Sequence, residues 1–229
     1  MKCKHSAEKC GIIAAVCYKE KQRISRDKTH ETDHTTQEDK TMAKIYVFLA
    51  DGCEEIEGLT VVDIVRRAKL EMTTISITDE KEVTSSHNVT FLTDALASEV
   101  DFDGFDAIVL PGGMPGTLNL GASDMVNKVI KKFAGEGKIV AAICAAPSIL
   151  GHLGILNGKK ATAFPGFEKD LTGAEVLTAP VKVVTDGNIT TARGMGASIE
   201  LGLELVRLLI SEEKAQEIGQ SVQYLEKQA

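Results

Sequence analysis

No apolar run in this 229-residue chain approaches the roughly 20 residues needed to cross a bilayer; candidates such as Ile45 to Ala50 and Ile139 to Cys144 have the length of strands. No membrane partner is expected. Basic charge is also scarce. The net charge is -7, and once helix-surface lysines are set aside no basic stripe remains to meet a nucleic acid. A disulfide framework is missing too: the cysteines are an odd five, with Cys3, Cys10 and Cys17 near the start and only Cys53 and Cys144 further on. That usage fits a reducing cytoplasm, where a lone thiol stays free for chemistry. Histidine offers no obvious base. Three of the five lie in the first 41 residues, His87 falls near a turn between short strands, and His152 falls two turns into a helix.

The length allows one well-packed α/β domain plus an appendage. Residues 1–41 are polar, with nine Lys/Arg against seven Asp/Glu and one short apolar run, Gly11 to Tyr18. They are expected to form a flexible extension outside the fold, either an upstream start or an added segment, with the domain proper covering 42–229. Cys10, Cys17, His30 and His34 give C-x6-C-x12-H-x3-H, close to a zinc-finger spacing. The first interval is too long for one, and Lys21 and Asp27 stand where a small finger needs apolar core residues, so no metal is expected there.

From Lys44 onward strand and helix patterns alternate. Ile45–Ala50 reads as a strand, Ile56–Leu70 as a helix and Met72–Thr78 as a second strand, a βαβ unit. Glu82–Thr84 and Asn88–Leu92 read as a strand pair, and Asp106–Leu110 as a buried strand ending in Pro111-Gly112-Gly113. Ser123 can cap a helix to Ala134 whose apolar stripe is Met125, Val126, Val129, Ile130 and Phe133. A strand from Ile139 then runs into a helix over Ala145–Leu153, with Pro147 tolerated in its first turn. Val181–Thr185 and Asn188–Ala192 form a hairpin through Asp186-Gly187, followed by a helix over Gly196–Ile210 and one or two helices over Glu212–Lys227. The expected architecture is α/β: a doubly wound, mainly parallel sheet with helices on both faces and its reactive groups at the carboxyl ends of the strands.

The most informative stretch runs from Lys138 to Ser148, where a strand turns into a helix with Cys144 at the turn. A sharp strand-to-helix turn pushes its side chain out of the sheet's end and aims the following N–H groups toward it. Both effects favour a thiolate, with a pKa drawn below the usual value of about 8.5. A buried, inert thiol is the commoner fate of cysteines in such cores; the position at the turn, among small residues, favours chemistry. Two more loops converge on the same sheet end, Asp51–Glu57 and Pro111–Gly116. Gly112 and Gly113 allow a main-chain N–H to face the pocket unobstructed, and with the Ala145 N–H they can form an oxyanion hole. Pro-Gly-Gly is equally an ordinary tight turn. Of the three acids Glu54, Glu55 and Glu57, the last is the one a helix entering the sheet's end can aim inward. Buried beside a thiolate, it is expected to stay protonated and to donate a hydrogen bond to sulfur, the pair serving as nucleophile and general acid/base.

Four segments together resemble the ThiJ/PfpI family, in the branch of the parkinsonism-associated protein deglycase and its bacterial relatives. They are Ala50 to Glu57, Val109 to Gly113, the Ala142-Ile143-Cys144-Ala145 elbow and Thr191-Ala192-Arg193-Gly194. The resemblance covers Lys44 to about Tyr224. It implies a flavodoxin-like fold related to class I glutamine amidotransferases, a homodimer, a reactive Cys144 and a protonated Glu57. It further implies an oxyanion site at the Gly113 and Ala145 amides, with no metal or organic cofactor for the core reaction. Protease-like relatives carry histidine directly after the nucleophile; Ala145 stands here, which disfavours a peptidase. Many deglycase-branch members place a histidine where this chain has Phe164, so Phe164 is expected in the pocket. The activity implied is that of a cysteine-dependent glyoxalase or protein deglycase, acting on a small aldehyde such as methylglyoxal or on a glycated side chain. The rival reading is a redox-sensing or chaperone-like stress protein that works through oxidation of Cys144.

Overall fold

A computed structural model describes residues 43–226. The extension over 1–41, with its Cys10, Cys17, His30 and His34 pattern, lies outside the described residues. Strand β1 (Lys44–Leu49) is buried beyond its first residue. Because successive strand side chains serve opposite faces, Ile45, Val47 and Leu49 join one apolar cluster while Tyr46 and Phe48 join another. Helix α1 (Glu55–Arg67) is capped by Glu54, whose carboxylate accepts from the Glu57 N–H at 2.7 Å. It ends sooner than the apolar spacing predicts. Lys69 adopts a left-handed backbone at φ 67° and turns the chain into β2 (Glu71–Ser76).

A small hairpin, β3 (Glu82–Thr84) and β4 (Thr90–Leu92), precedes β5 (Ala95–Leu96) and the fully buried β6 (Ala107–Leu110). Next comes α2 (Gly116–Ala122), a seven-residue helix that the sequence pattern did not predict. Its glycines and single Asn leave too little apolar periodicity to read. In α3 (Asp124–Gly135) the Ser123 hydroxyl accepts from the Val126 N–H, and Val126, Val129, Ile130 and Phe133 are buried as expected, with Met125 half-buried at the edge. Strand β7 (Ile139–Ile143) leads into α4 (Pro147–His152). A two-stranded ribbon of β8 (Lys160–Ala161) and β9 (Glu175–Val176), also unforeseen, lies before the β10 (Val183–Asp186) and β11 (Ile189–Ala192) hairpin. Helices α5 (Ser198–Leu209) and α6 (Glu212–Ser221) follow.

The main sheet has seven strands in the order β10-β11-β7-β6-β1-β2-β5, parallel except for the β10–β11 pair. One face is covered by residues of α1, α5 and α6, among them Val61, Ile64, Val65, Leu201, Leu205 and Ile218. The other is covered by α2, α3 and α4 through Leu120, Ile130, Phe133 and Leu150. The doubly wound expectation therefore holds. Register sets Val47 beside Val109 and Val109 beside Ala141, so the central strands β1, β6 and β7 release their loops at one level. Phe133 is among the largest fully buried side chains. Truncating it to alanine should cost about 3–5 kcal/mol of unfolding free energy, read as a fall in the urea midpoint at unchanged slope.

Candidate active site

Three loops meet beyond the ends of β1, β6 and β7, and main-chain hydrogen bonds tie them. The Glu54 N–H donates to Gly112 O at 2.9 Å, and the Gly116 N–H to Gly52 O at 3.0 Å. On the other side, the Cys144 N–H donates to Ala192 O at 2.9 Å, and the Phe164 N–H to Cys144 O at 2.8 Å. Between these anchors Cys144 sits at φ 64°, a left-handed conformation that a non-glycine residue adopts at a cost of roughly 1–3 kcal/mol. The strain is what turns its side chain out of the sheet.

Glu57 is fully buried, with 0% of its surface exposed. Its two acidic neighbours are spent elsewhere: Glu54 caps the helix, and Glu55 lies 3.1 Å from His87 Nδ1. The Oε2 of Glu57 accepts from the Gly112 N–H at 2.9 Å. The Cys144 side chain and the Met195 backbone lie close to the same carboxyl, although Oε1 makes no hydrogen bond of ordinary geometry. Gly112 shows how tightly the two groups share space. A Cβ placed on it would stand 2.6 Å from Cys144 Cβ and 2.7 Å from Glu57 Oε2, so any side chain here would displace both. The N–H groups of Ala145 and Gly113 face the sulfur and favour its anion.

Burial pushes the Glu57 carboxyl up to about 7, against the pull of Cys144 and the Gly112 N–H. For Cys144 the expectation of a lowered pKa is corrected. Burial first, and then the charge of the Glu57 carboxylate, push the thiol up to about 12, against the Ala145 and Gly113 N–H groups. The physical reason lies in the helix: α4 starts only at Pro147 and has six residues, with Ala145 and Ala146 in a turn ahead of it. A short dipole beginning that far away does not offset desolvation. Two anions cannot coexist in this pocket, so the first negative charge is shared between the groups. When Glu57 holds the proton its repulsion of sulfur vanishes, and its O–H becomes a donor to the thiolate beside the two N–H groups.

Cys53, the other described cysteine, is buried, and desolvation first, and then the charge of the Glu55 carboxylate, hold its thiol up at about 12. Among the described residues no imidazole hydrogen-bonds to Cys144 or Glu57. His87 faces Glu55, and His152 lies 3.7 Å from Asp170. Glu54, Glu55 and His87 offer ligand atoms within 4.8 Å of one another and could approach a cation, but those carboxylates already serve the cap and the ion pair. A cavity of about 190 Å³ between α2 and α4 is lined by Thr117, Leu118, Ile149 and His152, among others, and by neither Cys144 nor Glu57. Of the pocket residues expected from the sequence, Gly112, Gly113 and Ala145 lie on these loops beside the pair, whereas Phe164 lies on the loop after β8 and meets Cys144 through its main-chain N–H. Met195 was missed. It follows Gly194 in the fourth of the segments singled out above, and only the packing of that loop against α1 brings it to Glu57.

A strained cysteine elbow, a buried acid sharing its pocket and main-chain donors at the sulfur, all on a flavodoxin-like sheet, define a class of α/β proteins. The chain belongs to the DJ-1/PfpI family, whose sequence profile matches residues 43–208. It is 35% identical to the dj-1beta protein of Drosophila melanogaster over 176 residues, 77% of this chain and 94% of that one. It is 34% identical over 169 residues to a protein of Pyrococcus abyssi named a deglycase, covering 72% of this chain and 99% of the relative. The solved structure of oxidized Toxoplasma gondii DJ-1 superposes with a TM-score of 0.77 at 33% identity, covering 80% of this chain and all of that one. Among the described residues no helix is long and apolar enough to cross a membrane.

The buried acid gives a pH test of its environment. A carboxyl raised to about 7 in the folded chain, against about 4.3 when unfolded, binds a proton that the unfolded state has lost in between. Its contribution to stability is complete below pH 4 and is lost as pH rises through about 7. To separate the carboxyl from the thiol, both proteins compared carry Cys144→Ser. The Glu57→Gln form, which cannot ionise, should gain on the order of 3 kcal/mol over its Glu57 parent between pH 4 and pH 9. A pH-independent difference in chemical denaturation would show that Glu57 titrates as in water.

Proposed function

We propose that this protein is a cysteine-dependent enzyme of the glyoxalase and protein deglycase type. It converts methylglyoxal to lactate without glutathione and acts on the same fragment when it is attached to a protein side chain. The observation that carries the reading is the shared pocket at Gly112, where an acid raised to about 7 adjoins a thiol flanked by two N–H donors. The Pyrococcus relative named a deglycase supports the same class of chemistry.

In the proposed reaction Glu57 holds the proton and Cys144 attacks as thiolate, forming a C–S bond to the aldehyde carbon. The resulting alkoxide is held by the Gly113 and Ala145 N–H groups. Glu57 gives its proton to that alkoxide, making the hemithioacetal hydroxyl, and then as carboxylate takes the hydrogen of the same carbon as a proton. Glu57 returns that proton to the neighbouring carbon of the enediolate while the hydroxyl proton of the first carbon passes to the neighbouring oxygen, leaving a lactoyl thioester. Water cleaves the thioester, releasing lactate and restoring the thiol. Methylglyoxal and one water become lactic acid with no external oxidant or reductant. Incubating the purified chain with methylglyoxal in the absence of glutathione should yield lactate in proportion to enzyme. Lactate at the uncatalysed rate alone would overturn the proposal.

The same donors favour a second reading, in which peroxide oxidises Cys144 first to the sulfenic and then to the sulfinic acid, each step consuming one peroxide and releasing one water. The Toxoplasma relative, a DJ-1 in its oxidized form, supports that direction. Intact mass after mild peroxide separates the readings. Rapid gain of two oxygens at Cys144 without aldehyde turnover supports sensing over catalysis.

A further inference from the structure

Eleven large apolar side chains are exposed among the described residues, and three of them belong to the segments that touch the reacting pair. Phe164 is 47% exposed, Met195 54% and Met114 44%. Main-chain contacts place Phe164 and Met195, and sequence adjacency places Met114. The Phe164 N–H donates to the carbonyl of Cys144 at 2.8 Å, the Met195 backbone lies close to the Glu57 carboxyl, and Met114 directly follows Gly113, whose N–H faces the sulfur. The Phe164 ring is also placed from the side. Its Cδ2 and Cε2 lie 3.0 and 3.7 Å from where a Cβ on Gly194 would stand, so the ring rests against the residue preceding Met195. A side chain at 194 would push the ring away. Exposing a phenyl ring and two thioethers to water gives up apolar burial, and at the mouth of a reactive site a ligand can recover part of it.

We propose that Phe164, Met195 and Met114 form an apolar collar that selects α-oxoaldehydes carrying an alkyl or aryl substituent on the keto carbon. The inference rests on the α-oxoaldehyde reading above. The small dicarbonyl head fits beside Cys144 and Glu57, and its substituent leaves the pocket against the collar. Glyoxal, which has hydrogen there, gains nothing from it; methylglyoxal gains one methyl contact, and a longer chain gains more. Where an imidazole at position 164 would offer a proton, the phenyl ring offers only surface, so the selectivity acts through binding of the substituent rather than through proton transfer.

The test compares kcat/KM for glyoxal, methylglyoxal and 2-oxoheptanal in the full chain and in Phe164→Ala and Met195→Ala. The wild-type preference for 2-oxoheptanal over glyoxal should be at least about tenfold, the size that apolar pockets achieve, and each variant should lower that ratio by about threefold or more. A ratio near one, or one that neither variant changes, overturns the collar while leaving the aldehyde chemistry standing. If no aldehyde is turned over, the chemistry itself fails, and a second readout then decides the collar. This is the rate at which Cys144 is alkylated by N-phenyl iodoacetamide relative to iodoacetamide, each normalised to the same reagent's rate with glutathione. A normalised preference for the aryl reagent that Phe164→Ala removes keeps the apolar mouth; equal normalised rates overturn it.

Discussion

Replacing Cys144 with serine is expected to lower lactate formation from methylglyoxal by at least about a thousandfold, the scale seen when a covalent nucleophile is removed. Serine is close in size and keeps the donors at Gly113 and Ala145 within reach of its oxygen, so the fold should survive. A hydroxyl in the same pocket, however, ionises far less readily than a thiol, and burial already opposes any anion there. Matching thermal melts for the two proteins would locate the loss in the chemistry. Retention of more than about a tenth of the activity would show that another group forms the bond to the aldehyde, and Cys53 could not be that group because it is fully buried with its thiol held up at about 12.

Glu57→Gln should cost about 10²- to 10⁴-fold in kcat, the range attributed to a positioned general acid/base. The amide can still accept from the Gly112 N–H and fill the same space, so what disappears is the movable proton. A second measurement separates that role from simple positioning. With the carboxylate gone, the second-largest influence holding the Cys144 thiol up is gone as well. Alkylation of Cys144 by iodoacetamide at pH 7 should therefore run as fast as in the parent or faster, even as turnover collapses. The parent's pH–rate profile should also carry a limb near 7 that the variant lacks. If alkylation and turnover fall together, Glu57 serves to hold the sulfur in place and another group moves the proton.

The sheet and its helices were legible because their signals are local and strong. The apolar runs Ile45–Leu49 and Ala107–Leu110 announce buried strands, and Ser123 with the stripe through Phe133 announces a capped helix. Several short elements were not. Gly116–Ala122, β5 and the β8–β9 ribbon are too brief to show a period and exist through contacts with distant segments. At the site, Glu57 could be picked from three neighbouring acids because helix geometry gives each a different direction, and the structure assigns the other two to the cap and to His87. The direction of the Cys144 shift could not be read in the same way. It depends on how deeply the elbow is buried and on where α4 starts, both of which are set by tertiary packing rather than by the residues around the turn. Met195 reached Glu57 for the same reason, through a loop far away in sequence.

The bonds that join the loops around Cys144 run almost entirely between peptide groups: Glu54 to Gly112, Gly116 to Gly52, Cys144 to Ala192 and Phe164 to Cys144. Amide and carbonyl are the same whatever residue bears them. A lineage can therefore exchange the bulk and polarity of the rim at little risk to the alignment beneath, so long as glycine persists where no Cβ fits. Divergence in such a scaffold should accumulate in what the mouth admits, while the chemistry below it stays fixed.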